Sequence, residues 1–248
     1  DKGREMHCEV ARRGFLEKGP FLGNALIDMY VKFGLLSKAH EVFHDLQVQD
    51  VVSWTTLIAG YVEQDHGIKA LDYFEQMQHE GVLPNPVTFV CILKACGIIG
   101  EIVKGQEIHA KVFKEGLIES SIVVGSAVVD MYADCSCIGD AYCVFCSIPS
   151  PNIVLWNSMI SRFTDVGLAE EAFKIFEEMQ RRGIHKNEFI LSSILKACTA
   201  LGAVYRGKII HDQIIKDNLE SNIFVENALI DMYIKCWNRD EAVRILKA

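Results

Sequence analysis

Proline is scarce in this chain, with 5 in 248 residues. Runs that alternate strictly between polar and apolar residues are also missing, which leaves little room for strands and favours helices. No apolar run reaches the ~18 residues of a membrane span. Positive charge is in deficit: 25 Lys and Arg stand against 33 Asp and Glu, giving a formal charge of −8 and a pI near 5.5. A simple nucleic-acid binder is expected to be basic, so composition argues against that class. The 9 cysteines are an odd number. Several sit in apolar helical pattern, as in ILKAC. This argues against a secreted disulfide framework and for reduced, buried thiols in an intracellular compartment. The chain opens as Asp-Lys-Gly-Arg, without an initiator methionine, signal peptide or transit peptide, and stops at EAVRILKA without a cap. It reads as a piece of a longer protein whose ends say nothing about targeting.

What the chain has in abundance is repetition. NALIDMY occurs at Asn24–Tyr30 and again at Asn227–Tyr233, with SAVVDMY between them at Ser126–Tyr132. The offsets are 102 and 101 residues. WTTLIAGY at Trp54 answers WNSMISRF at Trp156, and ILKAC begins at Ile92 and at Ile194, both 102 apart. GREMH, GQEIH and GKIIH begin at Gly3, Gly105 and Gly207. A fixed period of this kind signals a repeat architecture, and the long period divides into three related units of about 31–36 residues, within the range of known helical repeats.

Each unit reads as two helices. Ala70, Leu71, Tyr73, Phe74 and Met77 share one face at helical spacing, with Gly81 as a C-cap and Pro84 preventing continuation. Ala172, Phe173, Ile175, Phe176 and Met179 repeat the pattern and Gly183 closes it. The shorter first helix turns Leu57, Ile58 and Tyr61 inward. With 50% hydrophobic residues a sizeable core is available, yet one such pair cannot bury its own apolar face. Stacking pairs in line gives a continuous core.

These residues resemble a known family. VVSWTTLIAGY…ALDYFEQMQHEGVLPN, TFVCILKAC…GQEIHAKVFKEGL and NALIDMYVKFG…AHEVFHDL are similar to the P, L and S motifs of plant pentatricopeptide repeat proteins of the PLS class. The resemblance covers essentially the whole chain. It implies an all-α, right-handed superhelical solenoid of stacked helix-turn-helix repeats. It divides the chain into part of an L motif (1–19), S (20–50), P (51–85), L (86–121), S (122–152), P (153–187), L (188–222) and part of an S motif (223–248).

It also implies binding of single-stranded RNA, one base per repeat. In that family the fifth and last residues of a motif read the Watson–Crick edge, while an apolar second residue lies beside the base. Carried over, Asn24 with Asp50 implies uracil. Thr55 with Asn85, and Ser126 with Asn152, imply adenine. Asn157 with Asn187 implies cytosine with uracil tolerated, and Asn227 implies a pyrimidine. Val90 with Ser121 and Ser192 with Asn222 are weaker readers. Phe21, Val52, Val87, Val123, Val154, Phe189 and Phe224 are the base-packing residues. The implied role is the specificity tract of an organellar editing or processing factor, in mitochondrion or chloroplast, with other RNA-editing proteins as candidate partners and no membrane. The alternative is a protein-interaction scaffold, as helical solenoids often are, with little RNA affinity.

Other readings compete for the same residues. Asn, Ser and Thr near a helix start are common caps; the triple repeat favours base reading at the fifth position. His7, His109 and His211 recur once per long period, too far apart to share one ion, so packing is the better account. HCE at His7–Glu9 with CVFC at Cys143–Cys146 mimics the H-x-E…C-x-x-C of zinc deaminases. However, Tyr142 stands where Pro is expected, and His7 is the repeated L-motif histidine. Cys135, Cys137, Cys143 and Cys146 make a weak case for a separate metal cluster. No catalytic set, metal site or cofactor is expected. Position 13 of P and S motifs is often Lys, near the phosphates. Lys32 and Lys235 keep it, whereas Glu63, Asp134 and Asp165 invert it, which predicts weak RNA affinity. Ser136 and Trp237 replace the glycine found at Gly34, which puts the turn between helices at risk.

Overall fold

A computed structural model of the chain describes residue 12, residues 20–219 and 222–236, and residues 242, 243 and 245. Among these residues there are helices and turns but no strands. Contacts divide the chain into two units, 1–149 and 150–248.

In the first unit the helices are α1 (Pro20–Lys32), α2 (Leu36–Asp45), α3 (Val51–Glu63), α4 (Gly67–His79), α5 (Pro86–Ile99), α6 (Ile102–Lys114), the single turn α7 (Leu117–Ser120), α8 (Ile122–Asp134) and α9 (Ile138–Ser147). In the second they are α10 (Ile153–Asp165), α11 (Ala169–Arg181), α12 (Glu188–Leu201), α13 (Val204–Lys216) and α14 (Ile223–Lys235). The first helices of successive pairs lie side by side, α1 on α3 on α5 on α8 in one unit and α10 on α12 on α14 in the other. Each second helix backs onto its own first helix, so each unit is an all-α solenoid of stacked pairs.

The packing follows the repeated phrases. In α4, Ala70, Phe74 and Met77 are fully buried, while Leu71 and Tyr73 stay half-buried at the edge of that face. The whole set in α11, Ala172, Phe173, Ile175, Phe176 and Met179, is buried, as are Leu57, Ile58 and Tyr61 in α3. Gly81 and Gly183 both adopt positive φ, +78° and +70°, just past their helices. The next N–H of each chain closes back on the helix, Val82 to Met77 O at 3.0 Å and Ile184 to Met179 O at 3.1 Å, in the Schellman arrangement.

Two of the repeated phrases are halves of one lock. A Cβ on Gly105 would fall 2.4 Å from Met131 Sδ, and one on Gly207 would fall 2.7 Å from Met232 Sδ. The glycine of G-x-x-I-H is thus the hole for the methionine of D-M-Y. One turn on, His109 Nδ1 lies 2.9 Å from the Tyr132 hydroxyl, and His211 Nδ1 lies 2.9 Å from that of Tyr233. The recurring histidines therefore pin α6 to α8 and α13 to α14. Burial pushes His109 below the ordinary histidine range, against the upward pull of Asp140. Gly3 and His7 lie outside the described residues.

The turn after α8 survives without glycine. Ser136 itself takes the left-handed conformation, φ +62°, and Cys137 N–H still reaches Tyr132 O at 2.8 Å. Gly34 does the same work at φ +73°, with Leu35 N–H on Tyr30 O at 2.8 Å. The risk read from the sequence becomes local strain instead of a lost turn; Trp237 lies outside the described residues.

Cys96 and Cys198, the last residues of the two ILKAC phrases, are fully buried, and burial pushes each thiol up to about 12. They are inert apolar filler. Cys143 and Cys146 are exposed on α9.

Candidate nucleic-acid interface

A helix begins at each of Pro20, Val51, Pro86, Ile122, Ile153, Glu188 and Ile223. The second and fifth residues from each start are three apart, so they are neighbours on one helix face. The second residues are Phe21, Val52, Val87 and Val123 in the first unit and Val154, Phe189 and Phe224 in the second. All seven are exposed, from 49% at Val52 to 83% at Phe21. Large apolar side chains at the same register of successive helices form an apolar edge facing solvent, which marks a contact surface. In the second unit Phe189 and Phe224 lie with ring centroids 6.0 Å apart.

The fifth residues are not caps. They sit one turn into the helix: Asn24, Val90, Ser126, Asn157 and Ser192 are half-buried, Thr55 is buried and Asn227 is exposed. The caps are instead the residues that precede each helix. Asp50 accepts the Ser53 N–H at 2.8 Å, and Asn85 accepts that of Thr88 at 2.9 Å. Asn152 accepts from Leu155 at 2.9 Å, Asn187 from Ile190 at 3.0 Å, and Asn222 from Phe224 at 3.0 Å. Ser121 makes no side-chain cap bond. The capping preference of Asn and Asp therefore explains one residue of each pair and leaves the other unexplained.

In the first unit α1, α3 and α5 stack side by side, so the fifth residues of α1 and α3 lie near the caps of α3 and α5. Asn24 Nδ2 donates to Asp50 Oδ1 at 3.3 Å across 26 residues of sequence. Burial alone would raise the Asp50 carboxyl, but the bonds from Ser53 and Asn24 outweigh it and hold it below the ordinary carboxylate range. Thr55 reaches Asn85 through Thr88: the two threonine hydroxyls are 2.7 Å apart, and Thr88 Oγ1 is 3.1 Å from Asn85 Oδ1. Asn157 makes no such link, and its Oδ1 is buried without a hydrogen-bond partner among the described residues. Val90 offers no polar group to Ser121.

Between α12 and α14 an open groove of about 580 Å³ is lined by Ser192, Lys196, Thr199, Phe224, Asn227 and Lys235, among others. It gathers two fifth residues, one second residue and two cations on one surface, with a volume in the usual range for small-ligand sites. The cations are already engaged. Lys235 pairs with Asp231 at 2.9 Å and Lys196 with Asp165 at 2.5 Å. In the first unit Lys32 pairs with Asp28 at 2.6 Å. Among the described residues no group of three or more His, Cys, Asp or Glu is placed to hold a metal ion, and no helix is long and apolar enough to cross a membrane.

Sequence reasoning missed Ser53 and Thr88, which hold these pairs in place. The signal was present as Asp-x-x-Ser and Asn-x-x-Thr; Asn85 and Thr88 close a capping box, and the Thr88 hydroxyl reaches past the cap to Thr55.

Comparison with known proteins agrees with this layout. The PPR repeat family model matches residues 49–97 and 151–200, and a PPR repeat model matches 24–51. A pentatricopeptide repeat-containing protein of Arabidopsis thaliana, named as chloroplastic, is 36% identical over 98% of this chain and 39% of its own length. Another from the same plant, named as mitochondrial, is 35% identical over 91% of this chain and 35% of its own length. The chain thus spans about two fifths or less of these relatives. Among solved structures, PPR10 in complex with an 18-nucleotide psaJ RNA element superposes with a TM-score of 0.79 at 18% identity, over 97% of this chain and 36% of that one. PPR10 from maize superposes at 0.70, over 90% of this chain and 33% of that one. With the stacked helix pairs and the matched repeats together, the chain belongs to the pentatricopeptide repeat family.

Proposed function

We propose that this chain binds single-stranded RNA, one base per repeat, with the fifth residue of each motif and its last residue reading the base edge. The observation that carries this reading is the Asn24–Asp50 hydrogen bond. It joins two residues 26 apart, beside an exposed apolar second residue, and the same register recurs in every repeat. An amide donor beside a carboxylate acceptor matches a base presenting a carbonyl and a ring N–H, as uracil does. The PPR10 complex with RNA supports the reading by fold.

On this reading part of an L motif is followed by S, P, L, S, P, L and part of an S motif with the boundaries given above, in the PLS arrangement. The preferred RNA is U-A-N-A-C-N-Y, read 5′ to 3′ along the chain, with N at the L motifs. The parent protein acts in RNA editing or processing in a plant organelle, the organellar address resting on relatives named chloroplastic and mitochondrial. Two observations favour the scaffold reading: the chain is acidic overall, and the candidate phosphate-facing Lys32 and Lys235 are already ion-paired. Fluorescence anisotropy with this RNA, its scrambled form and its duplex separates the two. Selective binding of the single strand is the expected result, because duplex edges are occupied. Equal binding of all three contradicts base reading.

A further inference from the structure

Polar side chains are almost absent from the core. Among the described residues Ser53, Thr55, Thr88 and Thr164 are the buried polar ones. Thr164 is accounted for by its own helix, donating to Ile160 O at 2.8 Å. The other three belong to two reading pairs. Ser53 is the third residue of α3 and Thr88 the third residue of α5, and both are fully buried.

Around Thr88 the protons can be assigned one by one. Asn85 Oδ1 accepts the Thr88 backbone N–H at 2.9 Å, which fixes the orientation of the amide. The Thr88 hydroxyl lies 3.1 Å from the same oxygen. A carbonyl oxygen only accepts, so the arrangement that satisfies every contact at once places the single hydroxyl proton of Thr88 there. In that arrangement Thr55 Oγ1, 2.7 Å from Thr88 Oγ1, is the donor of that contact. The Asn85 backbone N–H, 3.2 Å away, takes the remaining lone pair of Thr88. Two consequences follow at the surface of the pair. The Thr55 proton is turned inward, so its hydroxyl presents an acceptor. Asn85 Oδ1 is occupied, so its amide presents the Nδ2 donors. Acceptor beside donor matches the N6 amino group and N1 of adenine. Guanine carries O6 and N1–H at those places, with donor and acceptor exchanged.

We propose that Thr88 is a positioning residue for base selection, fixing the polarity of the Thr55–Asn85 pair so that adenine is accepted and guanine refused. The proposal rests on the RNA-reading function above and adds a third position to it, the third residue of the following helix. Ser53 supports the first pair from the carboxylate side alone: its N–H and hydroxyl reach Asp50 Oδ1 at 2.8 and 2.9 Å, where Asn24 also donates. The later repeats carry buried Val124, Leu155, Ile190 and Val225 at this position. Asn157, the reader followed by Ile190, meets no hydroxyl at that position; its Oδ1, like that of Asn24, is buried without a hydrogen-bond partner among the described residues.

The test measures binding of the whole chain to two RNAs that differ only in A or G at the second base. The parent, Thr88→Val and Thr88→Ser are compared, with melting temperature recorded for each. The parent is expected to favour A by about tenfold or more, the size of one base-edge contact. Thr88→Val, which frees the Thr55 proton, is expected to bring the ratio below about threefold on the same scale, while discrimination at the first base is kept. Thr88→Ser is expected to restore it. A folded Thr88→Val variant with the parent's ratio, or a Thr88→Ser variant that restores nothing, overturns the proposal. A second pair of variants stands apart from the folding of Thr88→Val. Asn157→Thr with Ile190→Thr is expected to favour A over G at the fifth base at least about fivefold more than Asn157→Thr alone. Equal ratios overturn the proposal. If the parent shows no base preference anywhere, the RNA-reading function falls and takes this inference with it. If the parent discriminates elsewhere and position 88 alone is silent, only this inference falls.

Discussion

Asp50 gathers three donors on one carboxylate oxygen, the Ser53 N–H, the Ser53 hydroxyl and the Asn24 amide. Its folded-state pKa is depressed, so its contribution to stability is complete above the ordinary aspartate value of about 3.9. That contribution is lost as pH falls through the lower folded value. Denaturant midpoints between pH 6 and pH 3 should therefore drop further for the parent than for Asp50→Asn. Parallel curves would mean that the carboxylate adds nothing. Ser136 is the opposite case, a residue its site disfavours. A left-handed serine costs about 1 kcal/mol relative to glycine. Ser136→Gly should raise stability by roughly that amount in urea titration, and a fall would show that the serine side chain holds the turn.

At the scale of helices, glycine divides into two kinds that sequence cannot tell apart. A Cβ on Gly60 would meet Val31 Cγ2 at 2.4 Å, and a branched side chain has little room to turn aside. A Cβ on Gly139 meets nothing within 4 Å. Helix propensity favours alanine over glycine by about 1 kcal/mol at either place. Gly60→Ala should nevertheless lose about 1–2 kcal/mol, because overpacking outweighs propensity, and Gly139→Ala should gain up to about 1 kcal/mol. Thermal melts of the two variants should move in opposite directions; a shift of the same sign would remove close packing of α1 on α3 from the account. The elements themselves were legible. Gly81 and Gly183 announced their turns, and the faces of α3 and α11 followed from spacing alone. Tyr73 and Leu71 were read too deep, because periodicity gives a face but not its edge. The exposed Phe21, Val154 and Phe224 run against hydrophobic burial and were singled out only through the family resemblance. Ser53 and Thr88 were hidden because Ser or Thr three residues past a cap already has a sufficient explanation. No local pattern says that the Thr88 hydroxyl also meets Thr55, or that the Asp50 oxygen held by Ser53 also takes a bond from Asn24.

For the molecule as a whole, charge and base reading pull in different directions. Lys196 is held by Asp165 at 2.5 Å, so the lysine is committed before any phosphate arrives. The RNA affinity of the parent should fall only gently with salt. Asp165→Lys removes the competitor and adds a cation, and it should tighten binding of every sequence alike while steepening the log–log salt slope by about 1. An unchanged slope would place this edge outside the phosphate path. The claim that organises the rest is that each repeat selects its base through two side chains. The most direct measurement compares parent and Asp50→Asn on RNAs carrying U or C at the first base. The substituted side chain keeps the cap on Ser53 and the shape of the pair, and exchanges an acceptor for a donor. Asn24 then faces an amide in place of a carboxylate, the same combination as Asn157 with Asn187. The account predicts a loss of about 1–3 kcal/mol on the U-containing RNA and recovery of most of it on the C-containing RNA, with preferences at the other bases unchanged. A folded variant that binds both RNAs as the parent does would contradict it.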